Sequence, residues 1–168
     1  MTRVERGIVE IADEPILLQH LLVAVVNSAG ARWPGSRISL RAADRLPAVR
    51  GDPTYIEQVV RNLLTNAVRY GQGLQKGIDV VAEDAGEDVI VRVLDSGDGF
   101  GGEEPDRLFE LFYRSSSARS VPGGAGIGLF VCRNLIDKMG GRVWAREREE
   151  GGAEFGFSLP VLETDAAI

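Results

Sequence analysis

Hydrophobic residues follow a helical period in three segments of the chain. Pro15 is predicted to open the first helix, and Asp52 and Pro53 supply the N-cap and the first position of the second. Gly140 and Gly141 end the third. The apolar positions are Leu17, Leu18, Leu21, Leu22, Val25 and Val26 in the first helix, Ile56, Val59, Val60, Leu63, Leu64 and Ala67 in the second, and Cys132, Leu135, Ile136 and Met139 in the third. These spacings predict helices that pack on a core by one face.

Between the helices the hydrophobic period changes to two, which predicts strands. The predicted strands cover residues 7–12, residues 36–43, a short piece near Val49, a hairpin over residues 77–97 that turns at 85–87, and a final hairpin over residues 142–160. Helices and antiparallel strand pairs alternate in blocks. This order predicts an α+β fold, a two-layer α/β sandwich with about three helices on one face of a mixed, mostly antiparallel sheet.

Composition places the chain among globular proteins of one domain. It has 168 residues, of which 44% are hydrophobic and 26% charged, and a formal net charge of −6 that argues against nucleic-acid binding through a general basic surface. The longest apolar stretch, residues 16–26, is interrupted by Gln19 and His20, so we expect no membrane span or membrane contact and a cytoplasmic location. Cys132 is the single cysteine and is interpreted as a buried core thiol.

Two asparagines lie four residues apart in the second predicted helix. Asn62, Asn66 and Arg69 are rotated by roughly 90° from its apolar arc, so they flank the core where a cleft beside the sheet can open. Asparagine is a poor helix former, and its repetition within one turn favours a role in binding. A pair of surface amides is the alternative interpretation.

Two glycine-rich segments follow. The first places Asp95 at the end of a strand, before Gly97 and Gly99. The second, "GGAGIGL", precedes the third helix, where free backbone N–H groups and the helix dipole favour an anion such as a phosphate chain. It lacks the lysine of a Walker site and does not complete a Rossmann motif. Between the two segments, Phe109 and Phe112 share a short amphipathic turn, and residues 114–128 form a predicted lid.

The four segments NxxxNAxxY, DxGxGF, FxxFYR and GGxGIGL occur in an order and at spacings that resemble the catalytic ATP-binding domain of sensor histidine kinases. The resemblance spans residues 8–160 and implies the Bergerat ATP-binding fold, which gyrase, Hsp90 and MutL ATPases share. Residues 1–7 resemble the last turn of a preceding dimerisation helix, so we expect a piece of a longer kinase, whose membrane anchoring stays open. Residues 161–168 are expected to form a tail.

The resemblance also implies a role for each matched position. Asn66 would hold Mg²⁺ on the phosphates of ATP, with Asn62 lining the same catalytic site, and Asp95 would accept a hydrogen bond from the adenine amino group. Arg69, Tyr70 and the catalytic Arg114 would lie near the phosphates, Gly97 and Gly99 would make room for the base, and Phe109 and Phe112 would anchor the lid. The loop on the triphosphate would include Gly124, Gly126, Ile127, Gly128 and Leu129.

The implied activity is transfer of the γ-phosphate of Mg·ATP to a histidine on a dimerisation domain, with a response regulator downstream. ATP-hydrolysing relatives carry a glutamate at the place of Asn62, and an amide cannot take a proton from water. His20 lacks the expected neighbours of a phosphoacceptor and is interpreted as an exposed structural histidine, so the activity needs a partner domain. The isolated chain is expected to be a monomer because the dimer-forming helices are missing from it. A noncatalytic nucleotide-sensing module and an anti-sigma-type serine kinase remain alternatives.

A few positions depart from the pattern or fall outside it. Ala125 stands where the family often has a hydroxyl residue, and Asp98 is interpreted as a solvated turn residue. Lys138 and the run "EREE" at residues 147–150 are interpreted as solvated. Trp33 and Trp144 are expected to pack at the core or at an edge.

Overall fold

The computed structural model describes residues 10–71, 73–102, 104–111, 113 and 127–163. The strands are β1 (Glu14–Ile16), β2 (Ile38–Ala42), β3 (Val49–Gly51), β4 (Ile78–Asp84), β5 (Asp88–Asp95), β6 (Arg142–Glu147) and β7 (Ala153–Pro160). The helices are α1 (Leu18–Arg32), α2 (Pro53–Tyr70), the single turn α3 (Gly73–Lys76) and α4 (Gly128–Lys138), with a 3₁₀ helix at Pro105–Phe109.

Five strands form one sheet in the order β2-β4-β5-β7-β6. Only the β2–β4 pair of this sheet is parallel, and the other three pairs are antiparallel. Strands β1 and β3 form a separate antiparallel pair. Helices α1, α2 and α4 pack on the five-stranded sheet, so the predicted α+β sandwich with a mixed, mostly antiparallel sheet is confirmed.

Helix α2 forms as its sequence predicts. The Asp52 side chain accepts a hydrogen bond from the backbone N–H of Thr54 at 3.0 Å, and Pro53 takes the first helical position. The second carboxylate oxygen of Asp52 accepts from the N–H of Ala12 at 2.9 Å, which ties the chain before β1 to the start of the helix. All six residues of the predicted apolar stripe are buried.

The core lies between the helices and one face of the sheet. On β5 the side chains of Val89, Val91 and Val93 are buried and alternate with residues of the opposite face, as the period of two predicts. Cys132 of α4 is also fully buried, which confirms its interpretation as a core thiol. The next inward-facing position on β5 after Val93 is Asp95.

The start of α1 differs from the prediction. Pro15 lies in β1, opposite Arg50 of β3, and α1 begins three residues later at Leu18. Proline is compatible with a first helical turn and with an edge strand, and here the pairing with β3 keeps it extended. Leu17 therefore precedes the helix and is 45% exposed. The strand predicted over residues 7–12 is displaced to β1, and residues 7–9 lie outside the described part of the chain.

Candidate functional site

Asp95, the last residue of β5, is a buried carboxylate with only 3% of its surface exposed. Its Oδ1 accepts hydrogen bonds from the backbone N–H groups of Gly97 and Ala153, both at 3.0 Å. Desolvation by burial raises the pKa of this carboxyl group, and the two hydrogen bonds and the positive charge of Arg148 act in the opposite direction. The alternation along β5 turns the side chain toward the helices, so a strand-end carboxylate is presented where the sequence predicts it.

Close backbone packing surrounds this carboxylate. A Cβ atom on Gly71, the residue that follows α2, would lie 2.4 Å from Oδ2 of Asp95. A Cβ on Gly97 would lie 2.7 Å from the Cα of Gly71, and one on Gly152 would lie 2.2 Å from the Asp95 carbonyl oxygen. Gly97 thus admits the backbone at the end of α2. Gly71 and Gly152 belong to the site by contact, and sequence reasoning missed both because each follows an ordinary helix end or hairpin turn.

Helix α2 carries the predicted polar residues away from Asp95. Tyr70 and Arg69 form its last turn, with Tyr70 partly buried and Arg69 exposed, and Asn66 is partly buried one turn earlier. One further turn back, Nδ2 of Asn62 donates a hydrogen bond to the carbonyl oxygen of Gly128 at 3.4 Å. With a rise of about 1.5 Å per residue, the helix separates Gly71 from Asn62 by about 14 Å. Helix α2 therefore meets Asp95 at its C-terminal end, through Gly71, and Gly128 about two and a half turns earlier, through Asn62 on the other side of the helix.

Gly128 is the first residue of α4, and Ile127 precedes it at the N-cap position. Ile127 is 43% exposed and caps the helix with no side-chain hydrogen bond. Leu129 is partly buried and packs against the core. The first N–H groups of a helix have no partner within it, and together with the helix dipole they favour an anion at this end. The N-terminus of α4, next to Asn62 of α2, can therefore receive negative charge.

Phe109 connects the segment after Asp95 to α4. It ends the 3₁₀ helix, is 1% exposed, and lies under the guanidinium group of Arg133 of α4, 5.1 Å from the ring centroid. Arg133 also forms an ion pair with Asp106 at 3.8 Å. Phe109 is thus a core residue beside α4. The predicted site residues Phe112, Arg114, Gly124 and Gly126 lie outside the described residues, as does Ala125.

The run at residues 147–150, interpreted from sequence as solvated, does more than face water. Nη1 of Arg148 donates to the backbone carbonyl of Asp95 at 2.6 Å, and Oε1 of Glu147 accepts from the N–H of Phe100 at 3.0 Å. Both side chains therefore contact the segment that starts at Asp95. Glu147 is exposed as predicted, and the solvated interpretation was wrong for Arg148, whose side chain is only 20% exposed. A charged run looks the same in sequence whether its side chains bind water or a neighbouring loop.

The other polar positions agree with their predicted surroundings. Asp98 and His20 are exposed. Trp33 packs partly buried against the core, with Arg32 over its ring. Trp144 lies on the edge strand β6, and its Nε1 donates to Glu154 at 2.8 Å.

The sequence of residues 51–163 matches the family of histidine kinase-, DNA gyrase B-, and HSP90-like ATPases, and the chain belongs to this family. Among curated relatives, it is 33% identical over 162 residues to the sensor protein KdpD of Escherichia coli (strain K12). That match covers 95% of this chain and 18% of KdpD, so the chain spans about a fifth of the length of this relative.

Solved structures of histidine kinases have the same fold. The catalytic domain of ThkA superposes with a TM-score of 0.76 at 27% identity, covering 89% of this chain and 97% of that domain. Full-length ShkA in complex with AMPPNP gives 0.78 at 28%, with coverages of 95% and 33%. ThkA in complex with the response regulator TrrA gives 0.74 at 26%, with coverages of 89% and 42%. The predicted resemblance and fold are confirmed. Among the described residues, no helix is both long and apolar enough to cross a membrane.

Proposed function

We propose that the chain binds Mg·ATP and transfers its γ-phosphate to a histidine on a dimerisation domain in two-component signalling. The observation that carries the proposal is helix α2, which meets the buried Asp95 carboxylate at its C-terminal end and the first residue of α4 at Asn62. Membership of the ATPase family supports nucleotide binding, as does the structural likeness to ShkA, whose structure contains AMPPNP. The likeness to ThkA, solved with TrrA, supports a response regulator downstream.

The Asp95 end and the Gly128 end of this site divide the nucleotide between them. Asp95 has its Oδ1 occupied by two backbone N–H groups, and its Oδ2 faces Gly71, where it is the acceptor proposed for the adenine amino group. A carboxylate held in a low-dielectric site distinguishes a donor at this position from an acceptor, because a mismatched group leaves it unpaired. Arg69 and Tyr70 lie between this point and Asn66, and we assign them to the phosphate side.

Mg²⁺ is the metal proposed for this site. In the described part of the chain, no group of three or more His, Cys, Asp or Glu side chains is placed to hold a metal ion. The donor that fits is the amide oxygen of Asn66, which is partly buried on α2. Amide and phosphate oxygens with water suit Mg²⁺, which is commonly held by few protein ligands together with substrate phosphates. When bound, the ion would neutralise charge on the transferred phosphoryl group.

Asn62 favours phosphate transfer over hydrolysis. Its Nδ2 donates to the Gly128 carbonyl, and burial raises the pKa of the neighbouring Cys132 thiol to about 12, with a hydrogen bond to Asn62 opposing the rise. Neither an amide nor a thiol that stays protonated at neutral pH can take a proton from water. A neutral imidazole nitrogen needs no such deprotonation, so it suits this site as the nucleophile.

Domain boundaries complete the proposal. We assign residues 8–160 to the ATP-binding domain, residues 1–7 to the end of a dimerisation helix and residues 161–168 to a tail. Strand β7 ends at Pro160, although the N–H groups of Val161 and Leu162 still donate to Glu87 and Ala48 at 2.8 Å. The expected monomeric state of the isolated chain stays a prediction.

A phosphotransfer assay tests the proposal. The chain is mixed with radiolabelled ATP, Mg²⁺ and its cognate dimerisation segment, with a segment lacking the phosphoacceptor histidine as the control. Label on the intact segment that is acid-labile and base-stable is the expected result. Acid-stable label would assign the chain to the serine kinases of this fold, and tight ATP binding with no transfer would make it a nucleotide-sensing module.

A further inference from the structure

The β6–β7 hairpin reaches across to the segment that follows Asp95. Glu147, the last residue of β6, lies on the helix-facing side of the strand because it alternates with Val143 and Ala145. Its Oε1 accepts hydrogen bonds from the backbone N–H of Phe100 at 3.0 Å and of Gly102 at 3.4 Å. A single carboxylate oxygen therefore gathers two donors that are 45 and 47 positions earlier in the chain.

The shape of this segment depends on the same carboxylate. Gly99, Gly101 and Gly102 have φ angles of +71°, +67° and +74°, which L side chains rarely adopt. A Cβ atom on Gly99 would lie 2.7 Å from Oε1 of Glu147. Successive N–H groups in such a conformation form a concavity that binds an anion. Here the anion is supplied by the protein, so residues 99–102 are folded around Glu147.

Arg148 holds the other end of the segment. Its Nη1 donates to the Asp95 carbonyl at 2.6 Å, and the turn that follows brings the N–H of Ala153 to the Asp95 carboxylate. Gly152, with φ +94°, lets the turn approach that carbonyl closely. Residues 147 and 148 thus fix the two ends of residues 95–102.

We propose that Glu147 is a positioning residue of the nucleotide site, which holds residues 99–102 in the conformation that receives the base, with Arg148 fixing the segment at Asp95. This inference rests on the proposed nucleotide function. Glu147 touches neither ATP nor metal in this role. It acts by accepting two backbone hydrogen bonds, so a neutral acceptor of the same shape should replace it.

The test compares Glu147→Ala with Glu147→Gln in the full chain, with Glu149→Ala, the exposed residue two positions on, as the matched control. Affinity is measured by displacement of a fluorescent ATP analogue, using ATP and inorganic tripolyphosphate as competitors. We expect Glu147→Ala to weaken ATP binding about tenfold, because two donors lose their acceptor. Tripolyphosphate binding should be unchanged, because it lacks a base, and Glu147→Gln and Glu149→Ala should stay within about threefold of the wild type.

Three results would overturn the inference: wild-type ATP affinity in Glu147→Ala, an equal loss for ATP and tripolyphosphate, or no rescue by Glu147→Gln. Should Glu147→Ala not fold, amide exchange in the nucleotide-free wild type decides the matter. The N–H groups of Phe100 and Gly102 should exchange at least tenfold more slowly than an open loop, and unprotected exchange at both refutes the anchoring. Failure of the wild type to bind ATP would instead refute the proposed function and leave the exchange result standing.

Discussion

The Asp95 end and the Gly128 end of the proposed site differ in how many contacts the protein itself supplies. At the Asp95 end, a carboxylate is buried, receives two hydrogen bonds of 3.0 Å and is enclosed by three glycines. At the Gly128 end, the hydrogen bond from Asn62 is 3.4 Å long and Ile127 is 43% exposed. A nucleotide base is recognised by a hydrogen-bond donor or acceptor at one fixed position. Such a group must be held rigidly and shielded from water. Phosphates are recognised through charge, which acts over longer distances and tolerates an open site.

The largest effect on ATP affinity is expected from adding a methyl group at the Asp95 end. Gly71→Ala would place a methyl group 2.4 Å from Oδ2 of Asp95, and the φ of −98° at this position suits alanine, so the change isolates the contact. We expect ATP affinity to fall by about a hundredfold and the free energy of unfolding by about 1–3 kcal/mol. Isothermal titration and denaturant unfolding measure the two effects.

Gly30→Ala is the matched control for Gly71→Ala. A Cβ at Gly30 would have nothing within 4 Å, and the residue lies inside α1. The substitution should leave ATP affinity unchanged and raise stability by up to about 1 kcal/mol. Wild-type ATP affinity in Gly71→Ala would show that the Asp95 end can rearrange to accept the added methyl group, and would contradict its description as the more rigid of the two ends.

Asn66→Ala tests the proposed Mg²⁺ site on α2. Loss of the amide oxygen should remove nearly all of the Mg²⁺-dependent part of ATP affinity, about a hundredfold, and leave the Mg²⁺-independent part in place. ATP titrations with and without Mg²⁺ separate the two parts. Asn134→Ala on α4, whose side chain donates to Phe130 of its own helix, should behave as the wild type. Unchanged Mg²⁺ dependence in Asn66→Ala would remove Asn66 from the metal site.

Asp95→Asn probes recognition of the base. The amide keeps an acceptor for the N–H groups of Gly97 and Ala153 but removes the charge, so we expect about tenfold weaker ATP binding and poorer discrimination between ATP and GTP. Asp88→Asn, at the opposite end of β5, is the control. Equal discrimination in Asp95→Asn and the wild type would argue against contact with the adenine amino group.

The pKa of Asp95 adds a dependence on pH. Burial raises this pKa above the ordinary value of 3.8. At pH values between 3.8 and the raised pKa, the folded state therefore binds more protons than the unfolded state. The free energy of unfolding of the wild type therefore falls, relative to that of Asp95→Asn, as pH rises from 3.8 through the raised pKa of Asp95. Over the same range ATP affinity of the wild type should increase, because the ionised carboxylate is the better acceptor. A difference in the free energy of unfolding between the wild type and Asp95→Asn that does not change with pH would contradict the raised pKa of Asp95.

The smallest effect is expected at Asn62. Asn62→Ala removes one long hydrogen bond to Gly128, and we expect ATP affinity to fall by about threefold. Asn62→Asp should be worse than Asn62→Ala, since a carboxylate beside the Gly128 carbonyl has no hydrogen to donate. Titrations of both variants give the order. A loss of ATP affinity as large as that in Gly71→Ala would mean that the Gly128 end is as rigid as the Asp95 end.

Local signals in the sequence predicted the elements, and their limits are visible at particular residues. The start and the buried face of helix α2 were predicted correctly because its cap at Asp52 and its apolar stripe are encoded within one segment. The start of α1 was misplaced because Pro15 suits two local structures, and pairing with Arg50 of β3 decides between them. A single-segment pattern contains no information about such pairing.

The candidate site was predictable in its residues more than in its connections. Asp95 and Asn62 stood out by position and type. The N–H group that fixes Asp95 comes from Ala153, 58 positions later, and the backbone of an alanine in a hairpin gives no signal in sequence. Glu147 and Arg148 were hidden in a charged run for the same reason. What the pattern could not supply was which distant backbone atoms would meet these side chains.

The hydrogen bond between the N–H of Ala153 and Asp95 spans 58 positions of the chain, and this separation sets an order of events during synthesis. A ribosome that has released residues up to β5 has exposed the Asp95 carboxylate, which we propose binds adenine, without the N–H of Ala153 or the guanidinium of Arg148 that hold this segment in place. If Asp95 binds the base as proposed, tight capture of ATP must wait until the β6–β7 hairpin has emerged and joined the sheet. On this proposal the nascent domain acquires nucleotide affinity only after nearly all of its core has been translated.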